Sequence, residues 1–181
     1  MDIESGGSVK HLQLLIEKGV CTGARVDMGK PVIPGLPGKS DPHVVLQAGG
    51  QAHQLTLVSM GNPHAVEFVE NPDAVEIETI GPLIEHDKIF PDRTNVEFVQ
   101  RMDAHTIKMR VWERGSGETF ACGTGAVASA VASILNGYCD AGEITVHLKG
   151  GTLQIFWDEK EGNAFMSGPA SYVFEIHDLQ L

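Results

Sequence analysis

The sequence predicts an α+β fold in which many short strands enclose one buried helix. Three observations point there. Gly and Pro are dense, 21 and 9 among 181 residues, and cut the chain into short segments, the punctuation that a strand-rich fold needs. Asn95 to Arg101 and Thr106 to Trp112 alternate apolar and polar side chains, the period of a strand. The stretch 123–137, GTGAVASAVASILNG, is apolar or small on every side, as expected of a helix buried all round.

In chain order, Leu12, Leu14 and Ile16 mark a first strand, Gly19 to Gly23 a turn, and Arg25 to Met28 its return strand. Pro31, Pro34 and Pro37 with Gly35 and Gly38 predict an irregular loop. Val44 to Gln47 and Gln54 to Met60 pair across Gly49-Gly50, and Val66 to Val69 follows as a strand. A helix is expected over Glu76 to His86, with Pro82 bending it or marking its boundary. After the two alternating strands comes the small-residue helix, stopped by Asn136-Gly137. Ile144 to Leu148, Leu153 to Trp157, Ala164 to Ser167 and Val173 to Ile176 complete the strands. No repeat or low-complexity tract occurs.

A chain of this length suits one domain and part of a second, and buries roughly 70% of its unfolded surface. The net charge of -11 argues against nucleic acid and anionic lipid as partners. No apolar run is long enough to span a bilayer, and the first residues lack the pattern of a secretory signal. Three cysteines, Cys21, Cys122 and Cys139, suggest free thiols in a reducing, cytoplasmic setting. No ligand spacing among the cysteines and histidines supports a metal site.

The chemistry concentrates at Cys122. It precedes Gly123-Thr124-Gly125, which opens the small-residue helix. The first N–H groups of a helix lack internal acceptors and carry partial positive charge, which favours a thiolate and binds a carboxylate. Glycines at 123 and 125 let a ligand approach the backbone. A base and an anion hole side by side fit chemistry at a carbon next to a carboxylate. The alternative is a small buried thiol with no chemistry, at the end of a plain core helix. Asn62 and His64 in Gly61-Asn62-Pro63-His64, Asn95 between Arg93 and Glu97, and Glu113-Arg114 are the other polar clusters; each also reads as an ordinary turn or strand end.

GNPHAV at 61–66, DRTNVEF at 92–98, ERGSGETFACGTGA at 113–126, GGTLQIFW at 150–157 and GPASYVFE at 168–175 together resemble the diaminopimelate epimerases. VDMGKP at 26–31 and IGPLIEHDKIFPDR at 80–93 extend the match, so the resemblance covers roughly residues 8 to 181. The ERGxGET-x-ACGTGA element is the specific part.

The resemblance implies a diaminopimelate-epimerase-like strand-rich barrel wrapped around a central buried helix, two such halves, and a site in the cleft between them. It implies inversion of an α-carbon of diaminopimelate between the LL and meso forms, in lysine and peptidoglycan-precursor synthesis. No pyridoxal phosphate, other cofactor or metal takes part. Two cysteines face the α-carbon, one removing a proton and one giving a proton back. Cys122 matches one of them. Glu113 and His64 match residues that assist the two cysteines. Asn62, Asn95, Glu113 and Arg114 match residues at the substrate, and Gly123 and Thr124 match the backbone donors to its carboxylate. The small-molecule substrate is the expected partner, with a homodimer as one possible assembly.

The family's other cysteine segment has no counterpart here. Cys21 falls in an expected hairpin turn, and Cys139 lies past the far end of the helix, about 22 Å from Cys122. The expected organisation is therefore 1–24 as a remnant of an N-terminal half, 25–167 as the half-domain carrying Cys122, and 168–181 as a tail strand returning toward the first half. Rival readings are a proline or hydroxyproline racemase, a thiol hydrolase using Cys122 with His64, and a fragment that keeps the fold without activity.

Overall fold

The structure is a computed structural model that describes residues 1–5, 8–34, 41–157, 159–160 and 162–175. The described strands are β1 (Asp2–Ser5), β2 (Ser8–Glu17), β3 (Val20–Gly29), β4 (His43–Ala48), β5 (Gln51–Ser59), β6 (Pro63–Phe68), β7 (Asn95–Arg101), β8 (Thr106–Glu113), β9 (Gly117–Thr119), β10 (Gly142–Leu148), β11 (Gly151–Trp157) and β12 (Ala164–Pro169). Two α-helices accompany them among the described residues, α1 (Ile77–Glu85) and α2 (Gly123–Leu135), with a 3-10 turn at Pro72–Ala74.

All strands join one mixed sheet in the order β1-β2-β3-β12-β11-β10-β8-β7-β6-β5-β4, with β9 hanging on β8. The pairs β6/β7 and β8/β10 are parallel; the other pairs are antiparallel. Helix α2 packs against β5 to β8 and β10 to β12, so strands flank it on several sides. The sheet does not close among the described residues. At β3 the path continues outward into the β1–β2 hairpin rather than turning back to β4.

The sheet separates two cores. Helix α2 packs with Val58, Val66, Val99, Val111, Val146 and Ile155 on one side. Helix α1 lies near Leu55, Ala65, Val96 and Phe98 on the other. Strand β7 is thus covered on both faces, and its first five residues are all buried. Helix α2 is buried from Gly125 to Ser133, as its composition requires. Its two serines are satisfied without solvent: Ser133 Oγ donates to Ser129 O at 2.8 Å, and Ser129 Oγ donates to Met109 Sδ at 3.5 Å. The stop at Gly137 is a Schellman arrangement. Gly137 adopts φ 67°, its N–H donates to Ile134 O, and Tyr138 N–H donates to Ser133 O.

Several expectations need correction. The first hairpin turn is Lys18-Gly19, both left-handed at φ 50° and 82°, a two-residue turn that leaves Val20 to Gly23 in β3. Cys21 therefore sits in a strand opposite Ile16, not in a turn. Of the two readings of Pro82, within the helix or at its boundary, the structure has the first: the helix continues past it, with His86 N–H donating to Pro82 O. The described part of the last expected strand, Val173 to Glu175, forms no strand, and Val173 and Phe174 are exposed. Its predecessor β12 already has β11 and β3 on its two edges, so no adjacent edge is free. Ile176 and the loop residues Gly35, Pro37 and Gly38 lie outside the described residues. Strands β1 and β9 have no counterpart among the expected elements.

Close helix–sheet packing at α1 depends on Gly81. A methyl added there would lie 2.6 to 2.9 Å from Cγ, Cδ2 and Cβ of Trp112. The indole is held, because its Nε1 donates to Glu85 Oε2 at 2.7 Å. Gly81→Ala is expected to destabilise the chain by ~1–3 kcal/mol through overpacking, read as a lower urea midpoint at unchanged slope. A midpoint at or above that of the parent would contradict this packing.

Candidate active site

Cys122 is the N-cap of α2, with extended backbone at φ -135° and ψ 111°. The Gly125 N–H turns back to donate to Cys122 Sγ at 3.4 Å, and Thr124 Oγ1 lies 3.5 Å from the same sulfur. The N–H groups of Gly123 and Thr124, in the first helical turn, have no intrahelical acceptors. The sequence therefore places a thiol and two donors at one helix end, as expected.

The ionisation of that thiol differs from expectation. Burial pushes Cys122 from 9.0 up to about 11. The hydrogen bonds from Thr124 and Gly125 pull the other way, and the carboxylates of Glu97 and Glu113 add to the rise. The expected thiolate bias of a helix N-terminus is outweighed, because desolvation of a thiolate exceeds what a half-charge and two weak bonds to sulfur return. At neutral pH the group is a thiol.

Three strand ends bring the other residues here. His64 near the start of β6 stands opposite Asn95, the first residue of β7, in the parallel ladder. Glu113 closes β8, one residue past Trp112, which pairs with Val96. Asn62 sits in the β5–β6 loop. Its Nδ2 donates to Thr124 Oγ1 at 3.3 Å, and its Oδ1 lies 3.2 Å from His64 Nε2. His64 Nδ1 lies 2.6 Å from Glu97 Oε1, and neither side chain has any exposed surface. A continuous polar chain thus runs Glu97, His64, Asn62, Thr124, Cys122.

Asn95 is a strut. Its Nδ2 donates to Pro63 O at 2.9 Å, and its Oδ1 accepts from Arg114 N–H at 2.9 Å, tying the first residue of β6 to the turn after β8. Glu85 holds that turn from the other side, accepting from Gly115 N–H at 3.1 Å. Arg114 is exposed, and its Nη1 donates to Asp92 O at 2.8 Å. Thr119 Oγ1 donates to Glu113 Oε1. A cavity of about 290 Å³ opens beside His64, lined also by Val58, Pro63, Phe90 and Arg93. The remaining cysteines lie elsewhere: Cys21 is exposed in β3, and Cys139 is buried beyond the C-terminal end of α2 with Sγ 3.7 Å from Asp103 O.

Glu97, Glu85 and the Gly125 N–H are not singled out by sequence reasoning. A signal exists for Glu97. Asn95, Glu97 and Val99 share one face of β7 by the period of two, so a carboxylate two residues from a polar strand end points at the same place. Among the described residues no cluster of His, Cys, Asp and Glu could hold a metal ion, and no helix is long and apolar enough to cross a membrane.

This fold is shared with racemases and epimerases of solved structure. A probable proline racemase from Agrobacterium radiobacter superposes with a TM-score of 0.66 at 15% identity, covering 96% of this chain and 58% of its own. A hydroxyproline epimerase from Agrobacterium vitis gives 0.64 at 13% identity, covering 93% and 56%. At such identities the likeness concerns the fold. Residues 56–173 match the diaminopimelate epimerase family, and the chain belongs to that family. The diaminopimelate epimerase of Pelotomaculum thermopropionicum is 50% identical over 178 residues, covering 95% of this chain and 63% of the relative. That of Methanococcus maripaludis strain C5 is 46% identical over 181 residues, covering 97% and 65%. The chain thus spans a little under two thirds of the length of these relatives.

The raised thiol gives a pH test. A thiol at about 11 instead of 9.0 holds about 100-fold less thiolate at pH 7.5, so alkylation of Cys122 by iodoacetamide is slow there. Its rate, followed by peptide mass spectrometry, is expected to climb about tenfold per pH unit through pH 10. A rate that levels off below pH 9 would place the burial effect second to the helix end.

Proposed function

We propose that the chain supplies Cys122 and its polar surroundings to a cofactor-independent epimerase that interconverts LL- and meso-diaminopimelate. The observation that carries this reading is the thiol at the start of α2, beside the N–H groups of Gly123 and Thr124. An α-carboxylate seated on those donors puts the adjacent α-carbon next to the sulfur. Removal of the α-proton breaks a C–H bond and leaves its electron pair delocalised into that carboxylate, where the oriented donors stabilise it more than the ground state. A second thiol on the opposite face completes the inversion, one group taking the proton as thiolate and the other giving one as thiol. Cys122, held protonated by burial, begins as the donor and is regenerated as the base for the reverse direction.

In this reading Glu113 and His64 assist the two thiols, while Asn62, Asn95 and Arg114 form the wall that receives the substrate and its distal end. In this reading the second thiol is neither Cys21, exposed in β3, nor Cys139, buried beyond the C-terminal end of α2. In the same proposal residues 25–167 are the half-domain that carries Cys122, and 1–24 together with the tail after Ser167 are assigned to the other half. A cytoplasmic homodimer goes with the same reading, on resemblance alone. The thiol hydrolase reading is disfavoured: both His64 nitrogens face other partners, Glu97 and Asn62, so the imidazole does not touch Cys122. The proline racemase reading is disfavoured by curated relatives that share 44–50% identity with the chain and are named diaminopimelate epimerases.

Two measurements test this. Diaminopimelate at millimolar concentration is expected to slow alkylation of Cys122 several-fold, while L-proline leaves the rate unchanged; the opposite pattern would overturn the substrate. In heavy water, proton NMR is expected to show little or no loss of the α-proton signal of LL-diaminopimelate with the 181-residue chain alone, and none with Cys122→Ala. Robust turnover by the chain alone would overturn the half-site arrangement.

A further inference from the structure

Glu97 is a carboxylic acid in a place where packing alone calls for an aliphatic side chain. Its neighbours Val96 and Phe98 face the α1 core, and Glu97 points the other way, to the start of α2. The fit is close: a methyl on Gly125 would stand 2.8 Å from Glu97 Oε1 and 3.3 Å from Cys122 Sγ. Glu97 Oε1 meets His64 Nδ1 at 2.6 Å, and Oε2 has no hydrogen-bond partner among the described residues. The titratable groups around it are His64 on β6, Glu113 at the end of β8 and Cys122 at the cap of α2.

The orientation of the Asn62 amide sets the hydrogen-bond directions. His64 Nε2 faces Asn62 Oδ1, an acceptor, so Nε2 carries a hydrogen. Asn62 then has its NH₂ toward Thr124 Oγ1, which frees the Thr124 hydroxyl hydrogen for Cys122 Sγ. With Nε2 already protonated, the 2.6 Å contact between Nδ1 and Oε1 holds one proton, on nitrogen or on oxygen. Either way the buried pair is neutral overall, which is how a core tolerates it.

We propose that Glu97 is a positioning residue of this site, sharing one proton with His64 Nδ1 and so fixing the ring with its Nε2–H toward Asn62 and the Cys122 loop. The inference rests on His64 belonging to the working site, as in the function proposed above. The substitution Glu97→Gln keeps the shape of the side chain and removes the shared proton. An amide at this position can meet Nδ1 only as a neutral donor or a neutral acceptor.

The test reads His64 directly and involves no substrate, so it stands apart from whether the chain acts on diaminopimelate. Long-range proton–nitrogen NMR of the nitrogen-15-labelled chain is recorded from pH 6 to 9, with His64→Gln to assign the ring. The expected result is a hydrogen on His64 Nε2 and a far-downfield proton resonance from the His64–Glu97 bond. Glu97→Gln is expected to abolish that resonance while amide shifts distant from the site stay in place. A bare Nε2 in the parent chain, or no downfield proton there, would overturn the proposal even if Glu97→Gln fails to fold. Persistence of the resonance in folded Glu97→Gln would overturn it equally.

Discussion

The constraint on which the rest of the structure depends is that α2 is buried on every side. A helix in that position has no polar face to turn to water, so its own residues must be small enough for strands to approach from several directions. Alanine, serine, valine and glycine meet that need, and the sheet answers by placing β5 to β8 and β10 to β12 against it. One consequence is positional. The helix can begin only where the enclosing strands end, so its unsatisfied N–H groups emerge beside the start of β6, the start of β7 and the end of β8. Cys122, His64, Asn95 and Glu113 meet for that reason.

Burial also decides the electrostatics. A helix N-terminus offers a thiolate roughly half a positive charge, while enclosure by strands removes the water that would solvate it. Here the second effect wins, and the nearby carboxyls of Glu97 and Glu113 push in the same direction. The same enclosure raises Glu97 itself, against the pull of His64. The polar residues compensate by bonding one another. Asn95 commits both ends of its amide to backbone, and Glu85 fastens the Trp112 indole and the turn that carries Arg114. The loops around the thiol are thus held by buried side chains, which restricts the distance over which they can shift.

Most of this is legible in the sequence where a period or a specific motif speaks. The alternation of 95–101 and 106–112, the Gly49-Gly50 hairpin and the small-residue helix all follow from side-chain pattern and turn chemistry. The failures have physical causes. The segment from Val173 has the residues of a strand but no free edge beside β12, and pairing is not a property of one segment. The turn at Lys18-Gly19 escapes a sequence reading because lysine in a left-handed conformation leaves no compositional mark. Glu97 escapes it because a charge within a strand ordinarily faces water; only the two-sided burial of β7 makes it an interior group. The ionisation of Cys122 escapes it because a sequence reveals the helix end but not the depth of its enclosure.

That depth bears on the proposed reaction. An inversion with two acid–base groups needs one thiolate and one thiol before each turnover, and two identical environments would supply both forms only by chance. A thiol raised to about 11 is strongly biased to one role in the empty site. In the proposed reaction the partner thiol would then be the group that ionises more readily. In that proposal a substrate carboxylate on the N–H groups of Gly123 and Thr124 would add negative charge beside Cys122 and deepen the bias. In the proposed reverse direction Cys122 would start as thiolate, and the groups beside its sulfur would stabilise that form: the Gly125 N–H, which donates to it, and the Thr124 hydroxyl 3.5 Å away, which can. In the proposed reaction, burial makes Cys122 a ready donor, and the polar chain behind it limits the cost of the thiolate it must become.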